Sequence, residues 1–182
     1  TYGSIDMYDY YFEHKRQQIE AMKHVPRVFK EIAEEFAKIS GRKYDLVDGY
    51  MLDDAEYVMV ALGSTAGTIK HTINELRKEG KKVGLLKPWM FRPFSKEEYQ
   101  RLLTGRKAVV VLDRSASFGA EAPLYQSVKS AIYEVASKPQ MGSYVYGLGG
   151  RDITPHHIRQ AFEDAFNGNL IVDEERYLGL RE

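Results

Sequence analysis

Between Ala108 and Glu121 the chain reads AVVVLDRSASFGAE, and no other stretch constrains the fold as much. Val109 to Leu112 form an unbroken β-prone apolar run bracketed by Lys107 and Asp113. A strand with one wet face alternates apolar and polar residues. A run with no polar break fits a strand covered on both faces, as in a parallel sheet. The run gives way to a polar loop containing Gly119 and restarts as a helix near Ala120. In open α/β sheets, ligands and partners gather where strands end at their C-terminal edge. Asp113, Arg114, Ser115 and Ser117 fall at that edge.

With 182 residues the chain is long enough for one well-packed domain. Its 26 acidic and 26 basic side chains balance, which argues against general nucleic-acid binding, since neutralising phosphates requires a net basic surface. No apolar run approaches the roughly 20 residues of a membrane helix, so no membrane is expected as a partner. The chain has no cysteine, which excludes disulfides, iron–sulfur ligation and thiolate chemistry within it and fits a cytoplasmic location. It does not open with a methionine, and the expectation is that it starts within a longer protein.

Thr1 to Tyr8 show no periodicity and read as a linker. Tyr10 to Lys23 read as a polar helix. After the punctuation of Pro26, Val25, Phe29, Ile32, Phe36 and Ile39 follow helical spacing, and Gly41 provides the stop. Residues 1–43 are thus a linker and helical arm, and 44–182 an α/β unit. In that unit strands are predicted at 44–51, 57–62, 83–87, around 107–113 and 143–146. Helices are predicted over 65–79, from a Ser95/Glu98 capping box to Leu103, over 121–136, and from Thr154 to Phe166 with Pro155 in the first turn. The tail to Glu182 carries no clear pattern. Alternating strands and helices call for a mainly parallel sheet with helices on both faces, a three-layer α/β/α fold.

Gly63-Ser64-Thr65-Ala66-Gly67-Thr68 follows a strand and opens a helix, where free N–H groups and the helix dipole attract an anion. It lacks both the P-loop lysine and the G-x-G-x-x-G spacing, and a turn capped by Ser64 or Thr65 explains it as well. Gly147-Leu148-Gly149-Gly150 fails the dinucleotide pattern because Asp152 occupies the next required glycine position. Arg151 and Asp152 are expected to form structural ion pairs with each other, with Asp113, or with a partner. His71, His156 and His157 fall on helices or helix starts, and the adjacent pair lacks the i, i+4 spacing of a helical metal site. No acid/base pair of carboxylates is recognisable. Neither catalytic nor metal-ligating residues are expected in this chain. Trp89, Phe91 and Phe94, with Tyr8, Tyr10, Tyr11 and Phe12, are either an exposed interface or ordinary packing.

LGSTAGT (62–68), VGLLKPWMFRPFS (83–95), VLDRSASFGAEAPLYQSVKSAI (111–132) and YVYGLGGRDIT (144–154) together resemble the α subunit of pyruvate:ferredoxin oxidoreductases. They resemble in particular its domain similar to the C-terminal domain of transketolase. DYYFEHKRQQIEAM (9–22) is similar to the helical connector preceding that domain. The combination of DRS-x-x-FG-x-E with GLGGRD is specific, and nearly the whole chain is covered in order.

The resemblance implies a mainly parallel five-stranded sheet of order 1-3-2-4-5 whose first, edge strand is antiparallel. In that order Gly63, Ser64, Thr65, Asp113 and Arg114 flank a topological switch point, and Ser117, Arg151 and Asp152 border it as anion-site or interface candidates. It further implies a complex that converts pyruvate and coenzyme A to acetyl-CoA and carbon dioxide and passes electrons to ferredoxin. Thiamine diphosphate, magnesium and [4Fe–4S] clusters would be held elsewhere, in another domain of the α subunit and in β, γ and δ-type subunits. This chain would position or bridge. The alternative is a non-catalytic assembly or anion-binding domain of a related thiamine-dependent complex acting on 2-ketoisovalerate or oxalate.

Overall fold

The computed structural model describes residues 3, 5–172 and 174–181. The chain opens with two helices, α1 (Tyr11–Met22) and α2 (Val25–Ser40). Pro26 sits in the first turn of α2, where its missing N–H is harmless. Gly41, at φ +70, closes the helix by donating its N–H to Ala37 O at 2.9 Å. Strands β1 (Val47–Tyr50), β2 (Tyr57–Ala61), β3 (Val83–Pro88), β4 (Ala108–Asp113), β5 (Gln140–Tyr146) and β6 (Glu175–Leu178) then form one sheet of order β1-β3-β2-β4-β5-β6. Only β1 is antiparallel to its neighbour, with Val47 opposite Pro88 and Tyr50 opposite Leu85.

Every residue of β4 is buried, as its unbroken apolar run requires. Residues alternate between the two faces of a strand, so Val110 and Leu112 enter one core and Val109 and Val111 the other. The first core lies beneath α3 (Thr65–Lys78) and α6 (Pro155–Phe166), where Ile69, Ile73 and Phe162 are fully buried. The second lies beneath α4 (Lys96–Leu103) and α5 (Pro123–Ile132), filled by Tyr99, Leu124 and Val128. The three layers and the five-strand order expected from sequence are present, with one strand added. β6 pairs parallel with β5, Ser143 opposite Glu175, in a tail the pattern left undetermined.

Helix α5 begins at Pro123 rather than 121, because the residue before a proline is pushed out of the helical region. Ala122 is accordingly extended, at φ −57 and ψ 140. The Ser95/Glu98 capping box does not form. Ser95 Oγ is buried without a hydrogen bond, and Glu98 pairs with Arg101 at 2.6 Å. The aromatic loop after β3 is largely packing. Phe94 stacks on Tyr99 with centroids 4.2 Å apart, and Trp89 meets Tyr44 edge-on at 4.8 Å. On the arm, by contrast, Tyr8, Tyr10, Tyr11 and Phe12 are exposed.

Candidate functional site

The C-terminal edge of the three central strands carries polar chemistry on both faces of the sheet, used differently on each. On the α4/α5 face, Asp113 ends β4 at 5 % exposure. Its carboxylate oxygens accept from the backbone N–H groups of Leu124 at 3.1 Å and Tyr125 at 3.0 Å. These are two of the N–H groups that the first turn of a helix leaves without intrahelical partners. Asp113 therefore fastens α5 to the end of the strand before it. Burial pushes its carboxyl above the ordinary carboxylate value, although the two amide bonds oppose that shift.

On the α3/α6 face, the hydroxyls of Thr65 and Tyr146 are 2.7 Å apart and buried. This bond ties the first turn of α3 to the end of β5. The expected capping of α3 by Ser64 or Thr65 side chains is absent, because Thr65 spends its hydroxyl on Tyr146. Burial raises the Tyr146 hydroxyl, against the pull of the Thr65 bond and the nearby Arg114 charge.

Arg114 is exposed and lies over Gly147. A Cβ at Gly147 would meet Arg114 Nε at 3.0 Å, and its φ of +66 disfavours a side chain in any case. Among the described residues Arg114 has no ion-pair partner, and its charge is felt at Tyr146, whose hydroxyl bonds Thr65 just after Gly63, at φ +70, and the exposed Ser64. The structure thus groups Gly63, Ser64, Thr65, Tyr146, Gly147 and Arg114. Asp113 turns to the opposite face, and half-buried Ser117 lies with Glu174 and Glu175 around a separate cavity. Arg151 is drawn toward β6 and donates to Gly179 O at 2.7 Å, and among the described residues it pairs with neither Asp152 nor Asp113. Asp152 is exposed. His157 Nδ1 accepts from the Thr154 N–H at 3.2 Å, bracing the start of α6.

Two participants escaped sequence reasoning. Tyr146 lies 81 positions from Thr65, and nothing local announces such a pair. Phe118 stands fully exposed in the loop after β4, and aromatic residues are enriched at interfaces. Among the described residues no group of three His, Asp or Glu side chains is arranged to hold a metal ion, and the chain offers no cysteine thiolate. Without a cysteine its residues do not fit an iron–sulfur cluster, and no step through one is derived for it. No helix among the described residues is long and apolar enough to cross a membrane.

Residues 55–158 match the family model described as pyruvate:ferredoxin oxidoreductase core domain II. Over its whole length the chain is 71 % identical to the pyruvate synthase subunit PorA of Thermotoga maritima, of which it covers 46 %. It is 37 % identical to the ketoisovalerate oxidoreductase subunit VorA of Pyrococcus abyssi, over 85 % of this chain and 39 % of that one. The chain thus spans less than half the length of these relatives. Among solved structures, a split-gene transketolase described as an inactive beta4 tetramer superposes with a TM-score of 0.52 and 17 % identity. The superposition covers 69 % of this chain and 43 % of that one, a likeness of fold.

Proposed function

The chain belongs to the pyruvate:ferredoxin oxidoreductase family, as its core domain II, and from that premise we propose that it serves the α subunit of a complex oxidising pyruvate. The products are acetyl-CoA and carbon dioxide, with electrons passing to ferredoxin in the cytoplasm. Pyruvate is preferred to a branched-chain 2-oxoacid because identity to the pyruvate synthase subunit is 71 %, against 37 % for the ketoisovalerate one. Thiamine diphosphate, magnesium and the [4Fe–4S] clusters are held in another domain of this subunit and in its β, γ and δ-type partners. Residues 1–43 act as linker and connector arm, and 44–182 as the docking domain.

The observation that carries a docking role is the state of the switch-point edge. Its buried polar groups are consumed internally, Asp113 by two amides and Thr65 by Tyr146. Arg114 and Phe118 remain exposed. An exposed, unpaired cation over Gly147 favours an acidic group, and an exposed aromatic favours an apolar recess. Both suit a neighbouring protein surface better than a reacting substrate. The test is to purify the native protein with its accompanying subunits and assay pyruvate- and CoA-dependent reduction of a viologen dye. Activity from a multi-subunit complex supports the reading. An isolated protein without thiamine or iron, inactive on every 2-oxoacid, overturns it.

A further inference from the structure

Away from the switch point, the β5–β6 pair holds two buried acceptors that lack a donor. Ser143 is 4 % exposed and its Oγ makes no hydrogen bond. Glu175 Oε2 is likewise buried and without a partner. The two residues are register partners, so their side chains leave the sheet on the same face. They share a cavity of about 330 Å³ beneath the loop after β4, whose walls include Ser117, Glu121 and Glu174. Glu121 is neutralised by Lys129 at 2.6 Å. Glu174 and Glu175 face no Lys, Arg or His partner among the described residues. The other oxygen of Glu175 accepts from the Tyr177 hydroxyl at 2.8 Å, which adds no positive charge.

A buried carboxylate oxygen is costly unless a donor, preferably a charged one, reaches it. A metal ion is disfavoured, because no three ligating side chains converge among the described residues. An organic cation with several N–H groups answers the requirement, since it supplies charge and donors while needing no acceptor in return. We propose that this cavity binds a primary ammonium group, carried either by a free diamine or by a lysine side chain of a neighbouring subunit. Its N–H groups bond Ser143 Oγ and Glu175 Oε2, its charge balances Glu175, and Glu174 at the rim adds to the negative potential that draws it in. The site adjoins the loop that carries Phe118 and does not depend on the substrate assignment.

The test titrates the native protein, with whatever subunits accompany it, with 1,4-diaminobutane by calorimetry at fixed ionic strength. The control is its fully methylated bis-quaternary analogue, which has the same charge and no N–H. For a free-amine site the diamine binds saturably. Its affinity falls at least tenfold for the analogue and at least tenfold in Ser143→Ala and Glu175→Gln. Where a neighbour's lysine fills the site, the diamine does not bind. Glu175→Gln and Ser143→Ala then each weaken subunit retention on gel filtration at least tenfold. The proposal is overturned if diamine and analogue bind alike, or if neither variant changes binding or retention. Thermal unfolding identifies a misfolded variant, and Ser143→Ala, the smaller change, carries the test should Glu175→Gln misfold.

Discussion

Helices α2 and α3 are similar in length and opposite in construction. Over its 14 residues α3 buries six side chains against the sheet, whereas α2 buries only Ala33 in 16, and α1 buries none. Val28, Ile32, Phe36 and Ile39 still recur at helical spacing along α2, and Ile32 is 60 % exposed. Short isolated helices are marginal in water, and most helices in proteins are held by tertiary packing of an apolar face. The sheet and its covering helices stabilise themselves. The arm meets the body at Phe36, which packs on Tyr44, and leaves Val28, Ile32 and Ile39 of its apolar face exposed, in keeping with the connector role proposed for it.

The sharpest way to break this contrast is a paired truncation. Phe162→Ala, in the core under α6, is expected to cost about 4 kcal/mol in denaturant unfolding, while Ile32→Ala on the arm costs less than about 0.5 kcal/mol. Comparable losses would show that the arm is integral to the body.

Asp113 comes next. Removing its carboxylate in Asp113→Ala strands two buried amides, and a loss of about 3 kcal/mol is expected. Its pH dependence has a definite sign. Burial raises the Asp113 carboxyl, so between the unfolded and folded pKa values the native chain binds more protons than the unfolded one. The contribution of the ionisable group to stability is then fully present below about pH 4 and falls as pH rises. Measured as the difference from Asp113→Asn, an opposite slope would mean that the two amide bonds outweigh burial.

A smaller effect is expected at Thr65. Thr65→Val, which leaves the Tyr146 hydroxyl without its partner, should cost about 1 kcal/mol by the same unfolding measurement. The smallest concerns the arm itself. Amide hydrogen exchange over 11–40 should be fast in the 182-residue chain and slow in the assembled protein, with the β4 amides protected in both. Strong protection of α1 in the chain alone would remove the contrast.

The body was legible because its signals are local. An apolar run marks β4, and helical spacing marks α3 and α6. Legibility failed where the deciding partner is distant or the pattern half-formed. Ser95 and Glu98 carry capping-box chemistry, but the backbone at Ser95, φ −85 and ψ 72, leaves the hydroxyl without a hydrogen bond. β6 is a four-residue edge strand with a half-exposed face, too short and mixed to register as a run. At the site, sequence placed Asp113 and Arg114 at one strand end. Which face each serves depends on α5 starting at Pro123 and on Arg114 lying across Gly147, and both are facts of packing. The Thr65–Tyr146 bond joins residues 81 positions apart, beyond any local pattern.

The central claim is that this domain docks and positions while the chemistry proceeds elsewhere. Its most direct test is to purify the complex carrying Arg114→Ala together with Phe118→Ala. Pyruvate turnover is then measured per fully assembled complex, alongside the yield of assembly. The account predicts a clear fall in assembled yield, with turnover in the assembled fraction within about twofold of the parent, a change under about 0.5 kcal/mol in the barrier. Normal assembly with turnover reduced a hundredfold or more would contradict it and place the reaction at this edge of the sheet.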